Sequence, residues 1–152
     1  MLKLEYYNET VVPLSEVVFE QIIDLINENF KELFPKEMDK RKNFYISFTL
    51  VDDKIIRKLN RDHRGKDEPT DVVSLSYLDA DSFPGQQDVA GEIFISYETA
   101  ERQARENFMD VLDELKFLFV HGVLHVLGYE HQSEKDFQTM MNLTNEILAI
   151  KT

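Results

Sequence analysis

Apolar and polar residues alternate along Leu2-Lys3-Leu4-Glu5-Tyr6-Tyr7, the period-two pattern of a half-buried strand. The period then changes. From Pro13, the residues Leu14, Val17, Val18, Ile22, Leu25, Ile26, Phe30 and Leu33 recur at helical spacing, with Glu16, Glu20, Asp24 and Glu28 between them. Pro13 is expected to open this helix and Pro35 to end it. Residues 44–51 are aromatic and β-branched and read as a second strand. Asp52 or Asp53 is placed to cap a helix whose apolar positions are Ile55, Ile56 and Leu59. The mixed charges around Gly65 and Pro69 read as a loop, and residues 72–77 as a third strand. Residues 79–88 form a polar turn region, and residues 89–96 a fourth strand.

Three helices complete the chain. A polar one runs from Tyr97 to about Asn107. The next starts near Asp110 and is apolar nearly all round (Leu115, Leu118, Phe119, Val123, Leu124), so it should be central and buried. Ser133 and Asp136 make a capping signal for the last, whose apolar face is Phe137, Met140, Met141, Thr144, Ile147 and Leu148. The order is β-α-β-α-β-β-α-α-α. The expected fold is α+β, a small sheet of about four strands packed with about five helices. With no repeat, low-complexity tract or linker, residues 1–152 read as a single domain.

Composition narrows the chemistry. Of 152 residues, 43% are hydrophobic and 30% charged, as in a soluble globular protein. No cysteine is present, which removes disulfides and thiolate-held zinc, fits a reducing cytoplasm, and leaves imidazoles and carboxylates as the strong metal ligands. The N-terminus lacks the pattern of a signal peptide, and no apolar run suits a membrane span. The net charge of −12 argues against a protein that coats nucleic acid. Yet residues 36–66 carry ten Lys or Arg against five Asp or Glu, a local +5 that leaves −17 for the remainder. Such a patch on an acidic body can steer a phosphodiester to one place, or it is simply a solvated face.

The chemistry concentrates in residues 121–131. Three of the four histidines lie there, spaced four and then six apart. His121 and His125 fall on one helical face. Gly128 can end the helix in a left-handed conformation, so that the chain turns back with His131. Three converging imidazoles leave one position open on a tetrahedral zinc, the arrangement of a catalytic site. Ordinary core or surface histidines are one alternative. A protease is another, since H-x-x-x-H-x-x-G-x-x-H is metzincin spacing. Those enzymes carry a Glu general base directly after the first His, where this chain has Gly122. A glycine moves no proton, and its cost in a helix suggests a need for open space beside the metal. The third alternative is a metal-dependent hydrolase of another substrate.

HGVLHVLGYEH resembles the H-G-x-L-H-L-x-G-Y-D-H signature of the YbeY family, bacterial rRNA maturation factors regarded as single-strand-specific endoribonucleases. A second stretch resembles that family's L-N-x-x-Y-R-x-x-D-x-P-T-D-V-L-S-F, matching at Leu59, Asn60, Arg64, Asp67, Pro69, Thr70, Asp71, Val72 and Ser74. His63, Val73 and Leu75 depart from it, where the family has Tyr, Leu and Phe. Residues 91–96 are similar to its G-D-I-x-I-S/C segment, with Glu92 for Asp.

The resemblance implies a mixed, mostly parallel sheet and a zinc-dependent endoribonuclease acting in 16S rRNA 3′-end maturation and ribosome quality control. It implies one Zn²⁺ per chain on His121, His125 and His131, although imidazoles also suit other divalent transition metals. It further implies that Arg64 is the functional arginine near the metal, where a guanidinium can fork onto two phosphate oxygens. The implied partners are single-stranded RNA, rRNA above all, and the ribosome or its proteins, with no membrane and no DNA. A metal-dependent protease or amidohydrolase, and a non-catalytic ribosome-assembly factor with a structural metal, are the competing functions. Several residues keep two readings. His63 is a solvated loop residue, or a fourth ligand or acid/base group. Glu92 orients a ligand histidine or is merely exposed. Glu130 is a candidate general base or a turn residue.

Overall fold

A computed structural model describes residues 1–36, 38, 41–78, 88–130 and 132–149. The elements follow the expected order: β1 (Leu2–Asn8), α1 (Val17–Asn29), β2 (Phe44–Val51), α2 (Asp53–Arg64), β3 (Val72–Ser76), β4 (Val89–Ser96), α3 (Tyr97–Glu106), α4 (Val111–Val126) and α5 (Glu134–Ala149). The strands form one sheet in the order β1-β2-β4-β3. β1, β2 and β4 are parallel, and β3 pairs antiparallel with β4 at the edge. The fold is therefore α+β with a mixed, mostly parallel sheet.

Side chains alternate between the two faces of a strand, and this places the helices. Ile46, Phe48, Ile93 and Ile95 point into the main core, which they share with α1, α4 and α5. Phe19 of α1, Phe48 of β2 and Phe119 of α4 meet there with ring centroids 4.9 to 5.2 Å apart. Tilted contacts of this kind contribute beyond the area they bury. The opposite face holds a smaller cluster, in which Ile56 and Leu59 of α2 cover Val51, Val73, Leu75 and Phe94. α2 and α4 thus lie on opposite faces of the sheet, both against its β3 edge.

Three helix boundaries differ from the sequence expectation. α1 ends at Asn29 rather than at Pro35, and Lys31–Leu33 form a separate short 3-10 turn. α1 starts at Val17 rather than at Pro13. The Asn8 side chain accepts from Thr10 N and Oγ1 and donates to the Val12 carbonyl at 2.6 Å, holding residues 8–12 in a turn. α2 runs on to Arg64, through residues that read as loop. Only Ile56 and Asn60 are buried on it, so little apolar periodicity marked its length. Gly65 ends it with φ 72°, and Lys66 N–H reaches back to the Asn60 carbonyl. His63 and Arg64 are therefore exposed last-turn residues of a helix. The polar turn expected at 79–88 lies, for residues 79–87, outside the described residues. The capping signal at Ser133 is present, since Asp136 N–H donates to its hydroxyl at 3.1 Å.

The two aspartates at the start of α2 divide their work. Asp52 is the cap and accepts from Ile55 N–H at 2.9 Å. Asp53 clasps α2 to α3, accepting from the Ser96 and Thr99 hydroxyls at 2.6 Å and from Arg102 at 2.9 Å. Burial pushes its carboxyl up, but these hydrogen bonds and the Arg102 charge outweigh it and hold the pKa below 3.8. A lowered folded value means stability that is present above the ordinary carboxylate pKa and lost as pH falls through the folded one. Asp53→Asn is expected to cost about 1–3 kcal/mol at neutral pH. Urea titrations should show the gap from the parent closing below the ordinary value of 3.8. An equal gap at both pH values would refute the assignment.

Candidate functional site

Helix α4 is held on the sheet by close backbone approach. A Cβ on Gly122 would lie 2.9 Å from Ile93 Cγ2. A Cβ on Gly91 would press on the Leu75 carbonyl oxygen and lie 2.7 Å from both methyl carbons of Val126. Gly122 thus serves contact between helix and sheet. This corrects the expectation that it opens space beside a metal. The Ser76 hydroxyl donates to the Val126 carbonyl at 2.7 Å and ties the end of α4 to β3.

That seating fixes the first two histidines. His121 and His125 lie one turn apart, both half-buried, with ring centroids 5.2 Å apart and planes at 72°. Phe117, one turn earlier, stacks on His121 with 18° between the planes. The expected helix exit is present. Gly128 has φ 104°, and Tyr129 N–H donates to the Leu124 carbonyl at 3.0 Å. The chain turns back as far as Glu130, which is exposed. His131 lies outside the described residues.

A cleft of about 440 Å³ opens at this end of α4, lined by His125, Ser74, Ser76, Leu78 and residues 127–130, with Pro35 at its side. Two imidazoles at this separation fit a shared cation, each turning one nitrogen toward it. Among the described residues no group of three His, Asp or Glu gathers as a metal site. The described residues that could hold a zinc-type ion here are His121 and His125, and His131 remains the sequence expectation for a third imidazole.

Arg64 and Glu92 stand apart from this pair. Arg64 ends α2, on the sheet face opposite α4, and is not among the residues lining the cleft. Glu92 points to that same opposite face. It accepts a hydrogen bond from the Tyr77 hydroxyl, so its described partner is a tyrosine rather than a histidine. Burial, then Glu92, push the Tyr77 pKa up to about 12. Parts of the second signature are structural. Asn60 is buried and donates to the Glu68 carbonyl at 2.8 Å, and Asp67 accepts from Arg57 at 2.9 Å. Together they hold the loop that follows α2.

One acid went unnoticed in the sequence. Glu114 is buried on α4, 7% exposed. Gln103, with its amide nitrogen turned toward the acids, donates to Glu114 and Asp71 at 3.2 Å each. Burial and the Asp71 charge push the Glu114 carboxyl up. Its spacing of seven from His121 was a visible signal, since it shares that helical face. It sits roughly 10 Å along the axis from His121, so it braces the helix rather than reaching a ligand there.

His125 and residues 127–130 of the histidine signature line this cleft, and the resemblance read from that signature agrees with comparison to known proteins. The family model described as Endoribonuclease YbeY matches residues 11–151. The chain is 45% identical over 111 residues to the Endoribonuclease YbeY of Symbiobacterium thermophilum, covering 70% of this chain and 71% of that protein. It is 34% identical over 156 residues to that of Bacillus cytotoxicus, covering 97% and 95%. The solution structure of TM1509 from Thermotoga maritima matches with a TM-score of 0.60 at 25% identity, over 95% of this chain and 89% of that one. With its sheet order, its histidine helix and matches that span most of its length, this chain belongs to the YbeY endoribonuclease family.

Proposed function

We propose that this protein is a metal-dependent endoribonuclease that cuts single-stranded RNA, and that it acts in the maturation of the 16S rRNA 3′ end and in ribosome quality control. The observation that carries the reading is the His121–His125 pair, with His125 in the wall of a cleft, in a chain of this family. His121, His125 and His131 would hold a zinc ion. Bound there, it would polarise a phosphoryl oxygen and lower the pKa of a water toward about 7.

The chain's own groups do the rest. Arg64 is charged at every working pH and offers a fork to two phosphate oxygens. Because it stands outside the cleft lining, it grips the strand beside the bond being cut. Glu130, the carboxylate at the cleft, is the candidate to hold the proton released by the attacking water. Ser74 and Ser76 of β3 also line the cleft, with the Ser76 hydroxyl committed to the Val126 carbonyl. A cleft on one compact domain takes a splayed single strand, whose bases are free to turn in, more readily than a duplex.

The test is a three-substrate assay with metal-loaded protein: a single-stranded RNA, its duplex and an unstructured protein. Cleavage of the single strand alone is expected, with kcat/KM lowered about 10- to 10²-fold in Arg64→Ala, chiefly through KM, for loss of a charge-assisted contact worth about 1.5–3 kcal/mol. Cleavage of the protein with none of the RNA would establish the protease reading instead. Ribosome association retained in Arg64→Ala, without hydrolysis by the parent, would establish an assembly factor.

A further inference from the structure

We propose that the outer face of α2 is a second RNA-contact surface, distinct from the cleft, that takes the phosphate backbone of the single strand flanking the cut. The inference rests on the nuclease reading above and adds where the rest of the substrate lies. α2 buries only Ile56 and Asn60, and its outer face carries Lys54, Arg57, Lys58, Arg61 and Arg64. Arg57 and Arg61 are engaged with Asp67 and Asp62. Lys54 and Lys58 make no ion pair or hydrogen bond among the described residues, and both are exposed. They are four residues apart, so they project from one helical face, separated by about 6 Å of helix rise.

Charge complementarity selects the occupant. The α2 helix, residues 53–64, carries five Lys or Arg against Asp53 and Asp62, a local +3 in a chain of net charge −12, so a polyanion is drawn to it rather than to the acidic remainder. The acids on the same surface are Asp62, Asp67 and Glu68, with Glu98 accepting from the Asp53 N–H at the start of the helix. Of these, Asp62 and Asp67 are occupied by the arginines, which leaves the two lysines as the uncommitted charges of the first turns. Topology supplies the path. The edge strand β3 turns Ser74 and Ser76 toward the cleft and Val73 and Leu75 toward α2. A strand that leaves the cleft across this edge arrives at α2. The contact is to phosphates, so it adds affinity without reading sequence.

The experiment measures binding of a single-stranded homopolymer RNA to His125→Ala protein across a range of salt, with and without Lys54→Ala and Lys58→Ala together. About 0.7 of slope in log K against log salt is expected for each phosphate neutralised on a single strand, so losing two lysines should flatten the slope by about 1.4. In the otherwise unaltered enzyme, the lysine pair should raise KM several-fold for a long RNA with kcat unchanged. It should leave a tetranucleotide unaffected. Lys54→Arg with Lys58→Arg should keep the parental slope. An unchanged slope, or a slope change on anionic vesicles but not on RNA, would overturn the proposal while leaving the nuclease reading intact. Because binding is read without turnover, failure of the parent to cleave would sink the nuclease reading alone. A parent that binds no RNA would sink the surface.

Discussion

His125→Ala is expected to lower cleavage of single-stranded RNA by about three orders of magnitude or more. The half-buried His125 ring faces the cleft and stands 5.2 Å from His121, centroid to centroid. If both hold one ion, removing either leaves too few imidazoles to retain it. Lewis-acid stabilisation worth several kcal/mol is then lost, and each 1.36 kcal/mol is tenfold in rate. A readout independent of activity comes from elemental analysis after dialysis. The parent should retain about one zinc per chain, the open three-ligand stoichiometry of a catalytic site, and the variant close to none. His125 is not part of the fully buried core, so the thermal midpoint of metal-free protein should change little. A parent that binds no stoichiometric metal would defeat the assignment, as would a variant that cleaves RNA at the parental rate.

The second large effect concerns stability. Gly91→Ala is expected to destabilise the protein by about 3 kcal/mol, at the upper end for overpacking a tight core site. An added methyl would meet the Leu75 carbonyl oxygen and both Val126 methyl carbons. The first is backbone in the β3–β4 ladder, where Leu75 sits opposite Glu92, and it cannot swing away. Relief requires prying α4 off the sheet or separating β3 from β4. For a chain of this length, roughly 3 kcal/mol corresponds to a fall in the thermal midpoint of roughly 10 °C. Gly122→Ala makes an informative contrast. The three atoms nearest its added methyl all belong to the Ile93 side chain, at 2.9 to 3.2 Å, with no backbone atom among them, and alanine in a helix recovers about 1 kcal/mol over glycine. Its net cost should therefore be much the smaller of the two. Equal midpoints for Gly91→Ala and the parent would show that α4 is not seated through this contact.

The part of the candidate site that is local in the chain was legible in the sequence. The spacing of four between His121 and His125 and the glycine at 128 act within one helical turn and its exit, and both appear as expected. The reach of α2 to Arg64 was not legible, because a mostly solvated helix has little apolar periodicity to show. Nor was the role of Asn60, whose bond to the Glu68 carbonyl depends on how the following loop folds back. Glu92 read equally as a partner for a ligand histidine or as an exposed residue. Strand alternation turns it to the other face, where Tyr77 takes it.

Taken alone, the sequence determined the order of the four strands and five α-helices described, and the pairing of two histidines on one face. Those properties follow from periodicity and from residues a few positions apart, so they need no knowledge of distant contacts. The tertiary structure decided which face of the sheet each helix covers. It put the cationic α2 opposite the histidine helix. It also decided what Gly91 and Gly122 are for. Beside the histidines, Gly122 reads as a gap left for a metal. In the fold, both glycines are contact points between helix α4 and strands β3 and β4. Those contacts join residues far apart in the chain, such as Gly91 and Val126, and they exist only once the sheet has brought its strands together.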